Sequence, residues 1–403
     1  MKILLLCHEY PPLGGGGGIG AQQYAEAWSE QGHDVTVITS WQAGLKRKET
    51  LNGAHIIRVL TSSIKTRATF SFAAMFFYVG FALIHVLFHL RAYRHYDVIN
   101  THFALPDGVL GLVLSRLLRL PNILTIIGGD IYDPTKKSSP HRAALTRTIN
   151  SFVMNAAHQI IAISSDTKRK AEQFYKIKKE ILVINYGFLP PKDTPVNDIV
   201  EVPKGKYCLI AIGRLVERKG FEFLIRAMVE LPDDIILYII GDGPLETSLR
   251  ALGDVCRLNG RLRLMGYVPR EKICAYLRSV DCFVLSSLHE GLGIVVQEAM
   301  YAGLPIVSTS DGGQVDLIEN HRNGILVRPG DVKSLVTAIR ELYDNRDLAQ
   351  ALAINNRTDI KEYLMSVNAQ KYIKLFEAAA NNGSKHIARV GAIAHPESSS
   401  NPE

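Results

Sequence analysis

The sequence predicts an α/β protein built from two Rossmann-like, doubly wound domains that face each other across a central cleft. Short apolar runs rich in β-branched residues alternate with amphipathic segments, which is typical of parallel strands joined by helices. This pattern stops at a proline-containing segment, residues 188–205, and then begins again. At 403 residues the chain also exceeds the size of one ordinary core, so two domains are expected.

The N-terminal domain is expected to span residues 1–190. Its predicted strands lie at residues 2–7, 34–40, 55–60, 97–103, 122–127 and 158–164. Each is apolar without strict alternation, as expected for strands buried on both faces of a sheet. Helices are predicted between them, near residues 20–32, 70–93, 106–119, 141–157 and 165–175, so the first helix is expected to begin near Gly20.

The C-terminal domain, expected over residues 206–363, repeats the same pattern. Its predicted strands are 207–213, 235–241, 262–268, 282–287 and 305–309, and its predicted helices lie near 220–230, 244–253, 270–279, 293–302 and 331–344. Further helices are predicted near 345–355 and 364–380, and the last is expected to pack back on the N-terminal domain. The polar segment 381–403 is predicted to be a disordered tail.

The chain is basic, with a formal net charge of +7 and a pI of about 9.0. That charge suits a phosphate-bearing ligand or an anionic membrane surface. Nucleic acid is not an expected partner, because the chain has no zinc-finger spacing, no RNA-recognition aromatics and no long basic run. The five cysteines lack C-x-x-C spacing, which indicates reduced thiols rather than a metal site. With no secretory signal recognised, a cytoplasmic location is expected.

Residues 70–90, FSFAAMFFYVGFALIHVLFHL, are almost free of charge and about long enough to span a bilayer. Three interpretations remain open: a helix buried in the protein, a helix lying on the membrane surface with flanking arginines at the headgroups, and a true span. The strand expected directly afterwards argues against the span, because it rejoins the sheet. The segment and the basic charge together suggest peripheral contact with the inner face of the cell membrane.

Five consecutive glycines follow the first strand, within PPLGGGGGIGAQQYAEAW at residues 11–28. Glycines in a strand-to-helix loop allow backbone N–H groups to approach a ligand, and the helix N-terminus adds partial positive charge. A flexible surface loop is the alternative interpretation. A dinucleotide site is disfavoured, because the strand at 34–40 is followed by no acidic residue. The expected ligand contacts are Gly16, Gly17 and Gly18.

The stretch SSLHEGLGIVVQEAMYAGLPIVST, residues 286–309, carries two carboxylates at the start of a helix. Glu290 is expected in the preceding loop and Glu298 within the helix, so that both line one site. Carboxylates accept hydrogen bonds from vicinal hydroxyls, which suggests a sugar at one of the two and a ribose at the other. Phosphate is expected at the N–H groups that begin the helix, those of Gly293, Ile294 and Val295.

The segment EGLGIVVQEAMYAGLPIV resembles the E-x7-E signature of the retaining family-four glycosyltransferases, which have the GT-B fold. The resemblance includes GRLVERKG, GDGP and GYVPREKI, and it extends over nearly the whole chain to about residue 380. It implies that Arg214 and Lys219 bind the donor diphosphate, where two fixed cations stabilise the negative charge of the leaving group. It further implies donor contacts at Gly213, Gly241, Gly291 and Tyr267, with Tyr267 near the nucleobase.

In the N-terminal half, the glycine loop resembles the family's loop near the donor phosphate and the acceptor. YDVINTHFALPDGVLG resembles the family's D-V-I-H-x-H strand and places His102 at the cleft. Many members carry a His followed by Gly after the next strand, whereas LTIIGGDIYD has Ile127 at that position. His102 and Asp130 are therefore the candidates to replace the missing side chain.

The resemblance implies a sugar transfer from a nucleotide-diphosphate donor to a hydroxyl acceptor, a glycan or lipid-linked saccharide, with retention of anomeric configuration. No D-x-D sequence is present, so no metal is predicted and the two cations take its role; no other cofactor is expected. Three alternatives are a sugar-nucleotide epimerase or hydrolase of the same fold, a nicotinamide-dependent oxidoreductase, and a catalytically silent membrane scaffold. The set of Arg214, Lys219, Glu290 and Glu298 favours the transferase.

Overall fold

The computed structural model describes residues 1–61, 72–136, 139–191, 203 and 205–381. The chain forms two compact units: unit 1 is Met1–Gly187 with the chain from Met365 onward, and unit 2 is Phe188–Leu364. The domain limits expected from the sequence were 1–190 and 206–363. Most of the expected linker, and the expected tail after residue 381, lie outside the described residues.

Unit 1 is built on an eight-stranded sheet. The strands are β1 (Lys2–Leu6), β2 (Asp34–Ser40), β3 (Lys48–Leu51), β4 (Ala54–Val59), β5 (Val98–His102), β6 (Asn122–Ile126), β7 (Gln159–Ala162) and β8 (Ile181–Val183). They lie in the order β3-β4-β2-β1-β5-β6-β7-β8. All neighbouring pairs are parallel except β3 and β4.

Strand β3 is an antiparallel edge strand that the sequence analysis did not predict. It is short and polar, KETL, with no apolar run to mark it. Asn52 and Gly53 connect it to β4 with φ values of 47° and 86°, a left-handed pair typical of a tight hairpin turn. The Asn-Gly dipeptide was therefore the available signal.

Helices cover both faces of this sheet. In unit 1 they begin with α1 (Gly16–Glu30), α2 (Phe72–Phe88), α3 (Leu90–Tyr93), α4 (Asp107–Leu118), α5 (Ala144–Ala156) and α6 (Ser165–Phe174). The expectation that the first helix begins near Gly20 was wrong, because α1 begins at Gly16 and its first turn is made of glycine.

The glycines of α1 are required by close packing rather than by chain flexibility. A Cβ atom on Gly18 would lie 1.7 Å from the carbonyl oxygen of Glu9, and one on Gly17 would lie 2.7 Å from the Phe103 ring. A Cβ on Gly20 would lie 2.5 Å from the Tyr186 ring. The low helix propensity of glycine is therefore overridden by contacts that no larger residue permits.

Helix α2 buries one apolar face and exposes another. Ala74, Tyr78, Ala82 and Val86 repeat every fourth residue and are fully buried against the sheet. On other faces Phe76, Phe77, Ile84, Leu87 and Phe88 are exposed. No helix within the described parts of the chain, α2 included, combines the length and apolarity of a membrane span.

Unit 2 is built on a six-stranded sheet in which every neighbouring pair is parallel. The strands are β9 (Tyr207–Ile212), β10 (Ile235–Ile240), β11 (Leu262–Gly266), β12 (Cys282–Leu285), β13 (Ile306–Thr309) and β14 (Ile325–Val327), in the order β11-β10-β9-β12-β13-β14. The helices are α7 (Phe221–Ala227), α8 (Glu246–Val255), α9 (Arg270–Arg278), α10 (Ile294–Ala302), α11 (Val332–Asp344) and α12 (Arg346–Asp359).

The last helix, α13 (Met365–Asn381), belongs to unit 1 and packs on α1. The indole N–H of Trp28 donates a hydrogen bond to the carbonyl of Ala369 at 3.3 Å. The rings of Tyr24 and Tyr372 have centroids 4.7 Å apart. These aromatic contacts hold the C-terminal helix to the N-terminal sheet.

Each sheet has one point where the direction of strand succession reverses. In unit 1 it lies between β1 and β5, because β1 also pairs with β2 on its other side. In unit 2 it lies between β9 and β12, because β9 also pairs with β10. Ligands of open α/β sheets bind beyond the carboxyl ends of strands at such switch points. The loops after these four strands are therefore where a site is expected.

Candidate active site

At the unit 2 switch point, the loop after β9 and the loop after β12 are joined by an ion pair. Lys219 ends a short 3₁₀ turn after β9, and its Nζ donates a hydrogen bond to Oε1 of Glu290. Ser287 Oγ donates to the same carboxylate oxygen at 2.7 Å. Both Lys219 and Glu290 are largely buried, with side chains 13% and 7% exposed. The structure thus brings together two of the residues that the sequence predicted for one site.

The charge state of Glu290 follows from its neighbours. Burial alone would raise the pKa of its carboxyl, but Lys219 and Arg218 outweigh burial and lower that pKa to about 2. Glu290 is therefore a carboxylate at neutral pH, fixed in orientation by two donors. An ionised, oriented carboxylate is a strong acceptor for ligand hydroxyls.

The loop that carries Glu290 is fixed by the loop after β13. Glu290 forms an isolated parallel bridge with Gly312, and its carbonyl accepts a hydrogen bond from the Gly313 N–H at 2.9 Å. Gly312 has φ 120°, and a Cβ there would lie 2.4 Å from the Glu290 carbonyl oxygen. Thr309 Oγ1 also donates to the Ser287 carbonyl at 2.6 Å. These contacts fix the position of Glu290 relative to the sheet.

Two predicted glycines sit where the backbone after β9 approaches that after β10. A Cβ on Gly241 would lie 2.0 Å from the carbonyl oxygen of Gly213, and one on Gly213 would lie 2.8 Å from Cε of Lys219. Both positions therefore exclude side chains. Arg214, the next residue, is exposed and forms no ion pair with any residue that the structure describes. It is a free cation on the same loop as Lys219.

Helix α10 begins directly after this loop. Gly293 starts it in the left-handed conformation, with φ 88°, and contributes no side-chain cap. Gly291 precedes it in the same turn. The first N–H groups of a helix have no partner within the helix, and α10 has no acidic residue in its first turn. The amides of Ile294 and Val295 are accordingly placed to bind an anion.

Glu298, one turn further along α10, has a partner that the sequence analysis missed. An Nη atom of Arg270, the first residue of α9, lies 3.3 Å from Oε1 of Glu298. Burial raises the pKa of the Glu298 carboxyl, and Arg270 counteracts this. Tyr267, just before α9, is 71% exposed, so its ring is free to contact a ligand. The sequence feature that could have revealed Arg270 was its position in the GYVPREKI motif.

In unit 1 the structure buries His102. This residue ends β5 and is completely buried, stacked against Tyr186 with ring centroids 6.0 Å apart. Tyr186 Oη lies 3.1 Å from its Nδ1, and burial lowers the pKa of the imidazole to about 3. His102 is therefore a neutral, buried side chain in this structure. Its role at a substrate site stays a prediction.

Asp130 is also committed to the protein rather than to a ligand. Its two carboxylate oxygens accept hydrogen bonds from the backbone N–H groups of Ala104 at 2.7 Å and Ile127 at 2.9 Å. Burial raises the pKa of this carboxyl to about 6, and the two backbone donors counteract the effect. Asp130 thus fastens the loop after β6 to the loop after β5. Neither proposed substitute for the missing histidine faces open space.

The structure instead reveals a charged pair at the unit 1 switch point that the sequence analysis did not identify. His8, two residues after β1, lies with its Nδ1 2.5 Å from Oδ2 of Asp107, the first residue of α4. Tyr78 of α2 donates to Oδ1 of Asp107 at 2.8 Å. All three side chains are buried. The only sequence signal was a histidine and a glutamate at the start of the glycine loop.

The start of α1 offers a second set of backbone donors. Gly16, Gly17 and Gly18 form the first turn, which has neither a side-chain cap nor an acidic residue. A Cβ on Gly17 would lie 3.2 Å from Cγ2 of Ile127, so the isoleucine side chain packs beneath this turn. In the described ranges no three His, Cys, Asp or Glu side chains come together as metal ligands.

The fold is that of the GT-B glycosyltransferases. Sucrose-phosphate synthase from Thermosynechococcus elongatus, a solved structure, superposes with a TM-score of 0.80 at 22% identity, covering 94% of this chain and 100% of that one. The expected fold of two doubly wound domains is thereby confirmed.

Two family models place the chain more closely. Glycosyltransferase Family 4 matches residues 14–188, and Glycosyl transferases group 1 matches residues 195–359. Together they match most of the chain, which belongs to the family-four glycosyltransferases, as the motifs indicated.

Two relatives support this assignment. An uncharacterized glycosyltransferase of Methanocaldococcus jannaschii is 27% identical over 402 residues, covering 94% of this chain and 98% of the relative. The UDP-Gal:alpha-D-GlcNAc-diphosphoundecaprenol alpha-1,3-galactosyltransferase of Escherichia coli is 26% identical over 277 residues, covering 65% of this chain and 70% of the relative. The protein is therefore a glycosyltransferase.

Proposed function

We propose that the protein transfers a sugar from a nucleotide-diphosphate donor to a hydroxyl acceptor with retention of anomeric configuration. The observation that carries the proposal is the Lys219–Glu290 pair at the unit 2 switch point, directly beside the uncapped start of α10. A cation, an ionised carboxylate and free amides at one edge of a sheet suit a ligand that carries both phosphate and hydroxyl groups.

Lys219 and Arg214 bind the diphosphate in this proposal. As the bond between the sugar and the diphosphate breaks, negative charge grows on the leaving phosphate oxygens. Lys219 is held close to its final position by Glu290, so little reorganisation is needed to stabilise that charge. The amides of Ile294 and Val295 are further donors to phosphate. No metal is required by this arrangement.

Glu290 orients the transferred sugar and Glu298 binds the ribose. Glu290 is ionised and retains acceptor capacity beyond its bonds to Lys219 and Ser287, because a carboxylate accepts about four hydrogen bonds. Arg270 holds Glu298 on the neighbouring helix turn. The exposed ring of Tyr267 stacks on the nucleobase.

Retention follows from attack on the face from which the diphosphate leaves. The acceptor oxygen forms the new bond to the anomeric carbon, and the bond to the diphosphate breaks with its electron pair on the phosphate oxygen. The proton of the acceptor hydroxyl passes to that phosphate oxygen. The protein's contribution is to position both partners and stabilise charge, so no strong protein base is needed.

We further propose that the acceptor is a glycan or a lipid-linked saccharide and that the protein works at the cytoplasmic face of a membrane. The exposed face of α2 supports a membrane contact, since Phe76 and Phe88 are 77% and 84% exposed while the opposite face is packed on the sheet. Arg91 and Arg94 follow the helix and suit anionic headgroups. The galactosyltransferase of Escherichia coli described above is named for a diphosphoundecaprenol-linked acceptor.

The donor assignment is tested by thermal stabilisation with UDP-glucose, UDP-galactose, UDP-N-acetylglucosamine and GDP-mannose. A bound donor is expected to raise the melting temperature of the wild type, by roughly 2–4 °C per kcal/mol of binding linkage. Lys219→Ala should abolish the shift, whereas the exposed Lys333→Ala on α11 should retain it. Equal shifts in both variants would contradict the diphosphate assignment.

The membrane contact is tested by sedimentation with phosphatidylglycerol vesicles. Replacing Phe76 and Phe88 by serine should release the protein from the vesicles, because the two rings that insert into the lipid are then absent. Phe152→Ser on α5 is the matched control, since that ring is 59% exposed elsewhere in unit 1. Phe81 is a poorer target, because it packs against the core beneath α2. Loss of binding in the control alone, or in neither variant, would rule out α2 as the contact.

A further inference from the structure

The two sheets carry chemically similar pairs at equivalent places. In unit 2, Lys219 after β9 pairs with Glu290 after β12, and in unit 1, His8 after β1 pairs with Asp107 after β5. Each pair joins the two loops that flank the switch point of its own sheet. The unit 2 pair is accounted for by the proposed donor site. The unit 1 pair has no role in that site.

The Asp107 carboxyl group accepts hydrogen bonds on both of its oxygens. Its Oδ1 accepts from the backbone N–H of His8 at 2.9 Å and from Tyr78 Oη at 2.8 Å, and its Oδ2 contacts His8 Nδ1. Asp107 also stands at the start of α4, where a negative charge is favoured by the helix dipole. A fully buried carboxylate held by two donors of His8 and one of Tyr78 has one orientation.

That carboxylate determines the state of the His8 ring. Burial by itself would lower the pKa of the imidazole, but Asp107 outweighs burial, and the net pKa is raised above its ordinary value of 6.5. The ionisable groups that face this cluster come from each surrounding element and are Cys7, Glu9, Tyr78, Asp107 and Asp130. His8 therefore holds its proton more tightly than a free imidazole does.

The second nitrogen of the ring is directed toward the glycine loop. Nε2 of His8 lies 3.9 Å from Oε1 of Glu9, and Oε2 of Glu9 accepts from the N–H of Gly15, the N-cap of α1, at 3.3 Å. Glu9 is part of the same contact surface, because its carbonyl lies against Gly18. A continuous path of charges and hydrogen bonds thus runs from buried Asp107 through His8 and Glu9 to the start of α1.

We propose that His8 is a positioning residue for the reaction: as an imidazolium held by Asp107, it fixes the Glu9 side chain and through it the glycine turn that begins α1. Glu9, with its side chain 22% exposed, is the member of the path that reaches solvent. When His8 loses its proton, its attraction for Glu9 disappears and the turn is released. We propose this positioning role in a chain that has Ile127 where many family members carry a histidine. The role rests on the proposed transfer reaction only for its effect on turnover.

The proposal predicts an order in the glycine turn that depends on pH and needs no substrate to detect. In the wild type, the hydrogen-exchange protection of residues 14–20, corrected for intrinsic exchange, should fall roughly tenfold between pH 6 and pH 9. Glu9→Gln should show the lower protection at both pH values, because Nε2 of His8 then faces no carboxylate at position 9. His8→Gln should behave in the same way, and the exposed His55→Gln should match the wild type.

A pH-independent wild type, or an unchanged pH response in Glu9→Gln, would overturn the proposal. Either result would make His8 a packing residue of the core. Because Glu9 is partly exposed, Glu9→Gln keeps the test valid even where a variant of buried His8 fails to fold.

A second readout uses turnover of whichever donor the thermal screen identifies. His8→Gln should lower kcat roughly tenfold while leaving the Kd for the donor unchanged, because the donor contacts of unit 2 are intact. The alkaline limb of the pH profile of kcat should disappear in the same variant, since protonation of His8 no longer matters. A profile that keeps the limb, or a loss confined to donor binding, would contradict a positioning role. Failure of every donor to bind would count against the proposed function but leave the exchange result standing.

Discussion

The two switch points differ most in how their charged pairs meet solvent. Lys219 and Glu290 retain 13% and 7% side-chain exposure, and the unpaired Arg214 lies exposed on the same loop. His8 and Asp107 are closed off at 3% and 0%, and only the neighbouring Glu9 reaches the surface. For the same position in two similar sheets we thus propose direct ligand contact in unit 2 and an indirect, positioning role in unit 1. Burial, more than residue type, separates the two roles.

The sharpest way to break this comparison is to remove each cation and compare turnover. Lys219→Ala should lower kcat/KM by roughly 100- to 1,000-fold, the cost of losing one preorganised charge at a developing anion. His8→Gln should cost far less, because it acts through Glu9 and the glycine turn. Steady-state nucleotide release with the identified donor measures both. A larger loss of kcat/KM from His8→Gln than from Lys219→Ala would contradict the assignment of direct contact to unit 2 and positioning to unit 1.

The two pairs should also respond to pH in opposite directions. Glu290 has a pKa of about 2, below its ordinary 4.5, so its stabilising contribution is present above pH 4.5 and is lost as the pH falls toward 2. His8 has a raised pKa, so its contribution is present below pH 6.5 and is lost as the pH rises through its pKa in the folded protein. The Glu290 contribution is of the order of 3 kcal/mol.

Unfolding free energies of the wild type, Glu290→Gln and His8→Gln across pH 3 to 9 would separate these contributions. The difference between wild type and Glu290→Gln should shrink in acid, and that between wild type and His8→Gln should shrink in alkali. Parallel curves for all three proteins would show that the stabilising contribution of neither pair depends on the protonation of Glu290 or His8.

A loss of stability of similar size is expected from replacing the glycine that supports Glu290. Gly312→Ala forces a Cβ to within 2.4 Å of the Glu290 carbonyl oxygen at a φ of 120°. The substitution should therefore lower the free energy of unfolding by about 3 kcal/mol. Gly266→Ala in the same unit is the matched control, because Gly266 also has a left-handed backbone, with φ 68°. A Cβ there meets nothing within 4 Å, so the free energy of unfolding should fall by only about 1 kcal/mol. Chemical denaturation measures both. Equal costs would mean that the contact with the Glu290 loop contributes nothing beyond backbone strain.

The sequence predicted the unit 2 loops better than those of unit 1, and the reason is physical. Glu290, Gly293 and Glu298 lie in one strand-to-helix segment, where local spacing determines which side chains share an edge of the sheet. Lys219 joins them because it ends the equivalent loop after β9. Glycine periodicity and strand ends are local signals, so a single sequence carries them. Their chemical roles remain proposals.

The unit 1 pair could not be found this way. His8 and Asp107 are 99 residues apart, and their pairing depends on the strand order that places β5 beside β1. A buried polar pair also leaves no hydrophobic periodicity to detect. The burial of His102 was not foreseen for a related reason: at the end of a strand, one residue decides whether a side chain points into the core or beyond the sheet. The start of α1 was misplaced because close packing against Glu9, Phe103 and Tyr186 overrides helix propensity.

The most direct test of the account is a crystal structure of the protein with a bound nucleotide-sugar donor, chosen by the thermal screen. The account predicts that the diphosphate contacts Lys219, Arg214 and the first amides of α10, with the sugar hydroxyls at Glu290. A donor bound with its diphosphate away from Lys219 and α10 would contradict it.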